Sequence, residues 1–224
     1  LGTIPTPAVA FLTVQERADA GVVISASHNP YEHNGIKVFN AQGYKLPDAM
    51  ENRVEELILS HAEMPVKTGG EIGRCCNTSQ EMHEDYIDHL IDTIGCDLSG
   101  LRVLVDCANG AAAATAPDLF QRLPVMADFI NIDPDGVNIN NGCGSTHLEQ
   151  LSIMTMAGKY QLGIAFDGDA DRCLLVDEKG HTIDGDKIMA VCGMALRRTG
   201  KLTNNAMVAT VMSNLGLHEF CRKE

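Results

Sequence analysis

The segment Ala165-Phe166-Asp167-Gly168-Asp169-Ala170-Asp171-Arg172 sets three carboxylates at alternate positions and closes them with a guanidinium. Apolar runs bracket it, 162–166 before and 173–176 after. Short apolar runs bounded by glycine and turn residues read as buried strands, so the acidic segment is a loop pinned at both ends. Three carboxylates held this close repel one another unless a cation sits among them. Donors that are all oxygen suit a hard ion such as Mg2+, whose remaining positions a phosphate oxygen can fill. A solvated acidic turn is the plainer alternative, and the apolar flanks and Arg172 weigh against it.

The rest of the chain alternates between helical and strand periodicity. Helical spacing runs over 8–20 behind the stiff Ile4-Pro5-Thr6-Pro7 segment, and 21–25 reads as a buried strand ending in Ala26-Ser27-His28-Asn29-Pro30. A second short strand covers 35–39, and Asp48 stands where it would cap a helix running to about His61. The glycine-rich stretch 65–76 reads as a linker. Beyond it the pattern predicts a helix over 80–94 and a strand over 101–107. An alanine-rich helix opened by Asn109-Gly110 and limited by Pro117 and Pro124 follows, then a strand over 125–132 and a helix over 148–159. After the acidic loop come a hairpin turn at 177–180, a helix over 186–199 capped by Asp186, a strand over 207–212 and the start of another helix. The expectation is an α/β fold in three units, 1–76, 77–177 and 178–224, the last incomplete. In open α/β sheets ligands bind beyond the carboxyl ends of strands, which is where Ser27-His28 and Asp167–Asp169 both fall.

Hydrophobic residues make up 45% of the 224 and charged residues 21%, ordinary values for a globular chain with a sizeable core. No apolar run reaches the length of a membrane span. The net charge of −13, with no basic cluster larger than Arg197-Arg198, argues against nucleic acid or an anionic membrane as partner. It does not argue against a phosphorylated substrate, because a metal ion and local arginines reverse the field inside a cleft. Eight cysteines without a C-x-x-C pair, in a chain that is not loop-rich, read as reduced, mostly buried thiols of a cytoplasmic protein.

Four residues outside the acidic triad have the chemistry to act on a substrate. Ser27 at a strand end, with His28 beside it, has the makings of a phosphate-accepting nucleophile; a serine making a turn hydrogen bond is the alternative. Lys37 could steer a phosphate or move a proton, or simply face solvent, and Arg172 could grip phosphate oxygens or neutralise the aspartates. Cys107 and Cys143 lack an adjacent base and read as structural. A calcium-binding loop is a remote alternative for the aspartates, with Glu178 eleven positions after Asp167. It fails because Arg172 stands where glycine is needed and strands flank the loop instead of helices.

Taken together, Ser25-Ala26-Ser27-His28-Asn29-Pro30, Asn34-Gly35-Ile36-Lys37 and the Phe166-to-Arg172 loop resemble the α-D-phosphohexomutase superfamily, over essentially the whole chain. Asp106-Cys107-Ala108-Asn109-Gly110-Ala111, Asn138-Ile139-Asn140 and Cys143-Gly144-Ser145-Thr146-His147 are similar to the branch acting on glucosamine phosphate more than to the glucose and mannose branches. The resemblance implies successive phosphohexomutase-type α/β domains with mixed sheets, truncated relative to four-domain members. It implies that Ser27 carries a phosphoryl group and that Asp167, Asp169 and Asp171 hold one Mg2+ together with the phosphorylated Ser27. His28, Lys37 and Arg172 then lie around the reacting groups. The implied reaction interconverts glucosamine 6-phosphate and glucosamine 1-phosphate through glucosamine 1,6-bisphosphate, feeding UDP-N-acetylglucosamine and cell-wall precursors. A mannose or glucose phosphate is the alternative substrate. The implied partner is a small phosphosugar, with no nucleic acid and no membrane; a kinase acting on Ser27 and a homodimer are left open. The sugar-contacting Gly-Glu-x-Ser-Gly loop, the phosphate-clamping Arg-x-Ser-Gly-Thr loop and the N-terminal part of domain I are not in this sequence. The 224-residue chain by itself is therefore expected to be inactive or nearly so. Arg122-Leu123-Pro124-Val125 also stands where a helix-end glycine is expected.

Overall fold

The computed structural model describes every residue except Ala62 and Met64. The chain opens with helix α1 (Thr6–Gln15), entered through Pro5 with Pro7 in its first turn, where the missing N–H has no helical partner to lose. Strands β1 (Ala20–Ile24) and β2 (Ile36–Asn40) pair antiparallel, Val22 opposite Val38. Helix α2 (Asp48–Leu59) follows, and helix α3 (Ser79–Asp92) packs back on the first unit. Ala8, Val9 and Leu12 of α1 meet Val23, Phe39, and Met82 and Tyr86 of α3 in one apolar cluster.

The second unit is a five-stranded sheet. Strands β3 (Arg102–Asp106), β4 (Met126–Ile130) and β5 (Leu162–Phe166) run parallel, and β6 (Cys173–Asp177) and β7 (Thr182–Ile183) are antiparallel additions, in the order β4-β3-β5-β6-β7. Helices α4 (Ala112–Gln121) and α5 (Glu149–Ala157) cover opposite faces. Alternation along β3 sends Val103 and Val105 toward α4 and Leu104 toward α5, so the strand is buried on both sides and reads as an unbroken apolar run. From β3 the chain crosses to β4 on one side, then to β5 on the other. The carboxyl ends of β3 and β5 therefore form a topological switch point, the crevice where open α/β sheets bind ligands. Helices α6 (Gly185–Arg198) and α7 (Leu215–Lys223) complete the chain. Among the described residues no helix is long and apolar enough to cross a membrane.

Several local expectations need correction. The stretch 207–212 is not a strand: Val208 is 96% and Val211 100% exposed, and apolar β-formers without a neighbouring strand to pair with stay irregular. Pro117 lies inside α4, not at its limit. The burial of Ala112, Ala116 and Phe120 against the sheet carries the helix through a residue that costs about 3 kcal/mol in an isolated one. Asp48 is the first residue of α2 and complements its dipole while Pro47 occupies the cap; Asp184, not Asp186, caps α6 by accepting from the Lys187 N–H at 2.9 Å. Arg122 ends α4 in right-handed geometry, φ −89°, so no glycine is required there. Cys107 and Cys143 are buried, but Cys75, Cys76, Cys96, Cys192 and Cys221 are exposed, so the thiols are not mostly buried.

Candidate active site

Three loops meet at the switch point: 25–30 after β1, 107–111 after β3 and 167–172 after β5. The β5 loop does not run on as a strand. Ala170 turns at φ 54° and donates its N–H to the Asp167 carbonyl at 3.0 Å, which brings the carboxylates at alternate positions to one side. One oxygen from each of Asp167, Asp169 and Asp171 lies within 4.8 Å of the others. Asp167 and Asp169 are buried and Asp171 is exposed. Close approach of the β3 loop needs glycine at 110. A Cβ at Gly110 would stand 2.2 Å from the Gly168 carbonyl, which accepts the Ala111 N–H at 2.8 Å.

Ser27, 140 residues away in sequence, donates its hydroxyl to Asp167 Oδ2 at 2.7 Å. Its backbone is left-handed, φ 56°, and its N–H is held by Ser25 Oγ at 2.9 Å. Non-glycine residues in that region persist only where their surroundings hold them. Lys37, on β2, reaches across to both Asp169 and, at 3.1 Å, Asp171, so the solvent-facing alternative does not apply to it. The Arg172 guanidinium donates to His28 Nδ1 at 3.0 Å, and the Arg172 backbone N–H donates to Asp167 Oδ1 at 3.1 Å. The expected residues thus fall into one cluster.

Charge within the cluster is unevenly spread. Burial pushes the Asp167 carboxyl above its ordinary range, and its two acidic neighbours add to this against the hydrogen bonds from Ser27 and Arg172. Burial pushes Asp169 the same way, but hydrogen bonds from Lys37 and Thr6 outweigh it and hold that carboxyl low. Lys37 is drawn down by burial and raised by Asp169 and Asp171, which prevail. Among the described residues Asp169 Oδ1 is buried with no hydrogen-bond partner. An orphaned buried carboxylate oxygen among two more carboxylates, with a serine hydroxyl on one of them, fits a hard divalent cation.

The sequence reading missed three supports. Thr6, at the start of α1, gives its hydroxyl to Asp169 Oδ2 and its N–H to the Asp169 carbonyl at 2.9 Å. A threonine between two prolines at a helix start was the available signal. Asn140 donates to the carbonyls of Ser27 and Asn29 at 2.9 and 3.0 Å, although its segment was singled out only as a family marker. Asp106, fully buried at the end of β3, accepts from Ala108 N–H, Asn131 Nδ2 and Gly144 N–H at 2.9, 3.0 and 2.8 Å. An amide in its place must turn an NH2 toward one of these donors. Asp106→Asn is therefore expected to cost about 2–3 kcal/mol, read as a lowered urea midpoint. Cys107 and Cys143 beside it are inert at neutral pH: burial, with Asp106 adding to it, pushes their thiols up to about 12 and about 11.

Chemically, the arrangement can hold a divalent cation against a serine hydroxyl with a lysine and an arginine at hand, the equipment for moving a phosphoryl group. Comparison with known proteins agrees with this class. Three consecutive family models, described as phosphoglucomutase/phosphomannomutase alpha/beta/alpha domains I, II and III, match residues 1–64, 84–180 and 184–224. The chain belongs to the phosphoglucomutase/phosphomannomutase family. It is 54% identical to the phosphoglucosamine mutase of Acetivibrio thermocellus, with 100% of this chain and 50% of that protein covered. It is also 54% identical to that of Clostridium acetobutylicum, with 97% and 48% covered. The chain spans about half the length of the curated relatives it matches. Among solved structures, a phosphoglucomutase/phosphomannomutase family protein from Burkholderia thailandensis superposes with a TM-score of 0.69 at 24% identity, covering 88% of this chain and 43% of that one. The N-acetylphosphoglucosamine mutase of Aspergillus fumigatus, solved with GlcNAc-6P and magnesium, superposes at 0.51 and 18% identity, covering 89% and 54%. These two likenesses speak to the fold.

Proposed function

We propose that this chain carries the phosphoryl-transfer centre of a phosphoglucosamine mutase, interconverting glucosamine 6-phosphate and glucosamine 1-phosphate through a phosphate carried on Ser27. The observation that carries the reading is the Ser27 hydroxyl at 2.7 Å from Asp167, within the acidic cluster that Lys37 also enters. Asp167, Asp169, Asp171 and the phosphorylated Ser27 oxygen would hold Mg2+, which supplies positive charge to the phosphoryl oxygens. Phosphoryl transfer asks for positioning and charge neutralisation more than for covalent help.

In the forward direction the sugar O1 hydroxyl attacks the phosphorus on Ser27. A P–O bond forms to O1, the bond to Ser27 Oγ breaks, and the O1 proton takes the place of the phosphoryl group on Ser27 Oγ; Lys37, kept an ammonium by Asp169 and Asp171, adds positive charge beside the transfer. Ser27 Oγ is left beside Asp167. After the glucosamine 1,6-bisphosphate turns round, Ser27 Oγ takes the 6-phosphoryl group by the reverse step and glucosamine 1-phosphate departs. Arg172, tied through His28 to the serine loop, offers donors to the phosphoryl oxygens. The glucosamine assignment draws on the curated relatives. Turnover of glucosamine 6-phosphate by the full-length protein is expected to exceed that of glucose 6-phosphate and mannose 6-phosphate at least tenfold in kcat/KM, a difference of about 1.4 kcal/mol. Preference for a neutral hexose would keep the mechanism and change the substrate.

A further inference from the structure

We infer that Asn140 is a positioning residue that sets the Ser27 loop against the acidic loop from the opposite unit of the fold. Its catalytic consequence rests on the phosphoryl-transfer reading above; its structural part does not.

The Ser27 loop has few anchors within its own unit. Ser25 Oγ holds the Ser27 N–H, and the Ala26 carbonyl accepts from the backbone and side chain of Asn29 at 3.1 Å each. None of these three bonds fixes the loop relative to the sheet, and the bonds of Ser27 Oγ to Asp167 and of His28 to Arg172 reach the acidic loop through side chains only. Asn140 holds the loop by its backbone, because its single NH2 group donates both hydrogens, one to the Ser27 carbonyl at 2.9 Å and one to the Asn29 carbonyl at 3.0 Å. Two carbonyls two residues apart, converging on one nitrogen, define the curvature that keeps Ser27 left-handed.

Asn140 is itself held firmly. It is 6% exposed, adopts φ 56°, which asparagine tolerates better than other non-glycine residues, and donates its backbone N–H to the Ala108 carbonyl at 2.9 Å. The Ala108 N–H in turn sits on Asp106, the buried carboxylate at the end of β3. A continuous path of hydrogen bonds therefore runs from the centre of the sheet to the nucleophile's own backbone. Gly168 of the acidic loop fills the remaining space. A Cβ there would lie 2.6 Å from the Ser27 carbonyl and 2.7 Å from Asn140 Nδ2.

The orientation of the amide is also informative. Asn140 Oδ1 is buried without a partner among the described residues, which is costly, and turning the amide would set that oxygen against two carbonyls instead. The side chain keeps an unsatisfied acceptor in order to present both donors. A neutral amide does this against Gly168 of the acidic loop without adding charge, which neither aspartate nor lysine could.

The test compares wild type, Asn140→Ala and Asn140→Asp in the full-length protein. Asn140→Asp keeps the shape and removes both donors. Both variants are expected to speed amide hydrogen exchange at least tenfold over residues 25–34, while 102–106 and 162–166 exchange as in wild type. They are also expected to lower kcat at least tenfold, with KM for the sugar phosphate within twofold. Exchange at the wild-type rate over 25–34 would overturn the inference. So would loosening that extends equally into 102–106 and 162–166, which would mark Asn140 as a general structural residue. If wild type turns over no hexose phosphate, the functional reading fails, and the exchange comparison still decides the positioning role.

Discussion

Replacing Ser27 by alanine in the full-length protein is expected to lower turnover by about 10⁴-fold or more and to remove phosphate from the peptide carrying residue 27. The size follows from how little else could take its place. Neither nearby hydroxyl stands on Asp167 as Ser27 does: Ser25 Oγ accepts the Ser27 N–H, and Thr6 Oγ1 is bonded to buried Asp169. The substitution removes one oxygen and should leave the loop standing, since the Ser27 carbonyl and N–H keep their partners. Activity should therefore collapse with little change in the unfolding midpoint. Kinetics of phosphosugar turnover, with phosphate located by peptide mass, checks both halves. Turnover within tenfold of wild type would place the phosphoryl carrier elsewhere.

The acidic loop could be read directly because its parts are local. Asp167, Asp169 and Asp171 lie within five residues, and the apolar strands that pin them are adjacent in the chain. The partners that come from afar could not be read from pattern alone. Nothing in the spacing of Ser27 or Lys37 says that each meets an aspartate more than 130 residues later; those two were placed at the loop by resemblance. Thr6 and Asn140 were less visible still, because a threonine beside prolines or an asparagine in a polar stretch looks the same whether it supports a site or a turn. The failed strand over 207–212 has the converse cause: β-propensity speaks for a residue's fitness to pair and says nothing of whether a partner strand exists. Pro117 shows the same priority, with burial against the sheet overriding a strong local preference.

Asp169→Asn is expected to weaken Mg2+ binding about 100-fold or more and to reduce turnover at least as far, whereas Asp171→Asn should cost about tenfold in binding. Asp169 is the carboxylate on which the two units converge. Its Oδ2 accepts from Lys37 on β2 and from Thr6 on α1, its carbonyl accepts the Thr6 N–H, and its Oδ1 is buried with no partner among the described residues. An amide cannot serve both sides. Turned one way, its NH2 faces the ammonium and the hydroxyl donors; turned the other, it faces the cation. In either orientation a donor meets a positive or donating group, and one buried interaction is lost outright. Asp171 is exposed and shares Lys37 with Asp169, so water can stand in for much of what it gives. Titrating Mg2+ calorimetrically into each variant gives the comparison without relying on turnover. Equal losses for the two variants would mean that the buried carboxylate holds no privileged place at the metal site. An affinity of Asp169→Asn within tenfold of wild type would mean that the cation is held without it.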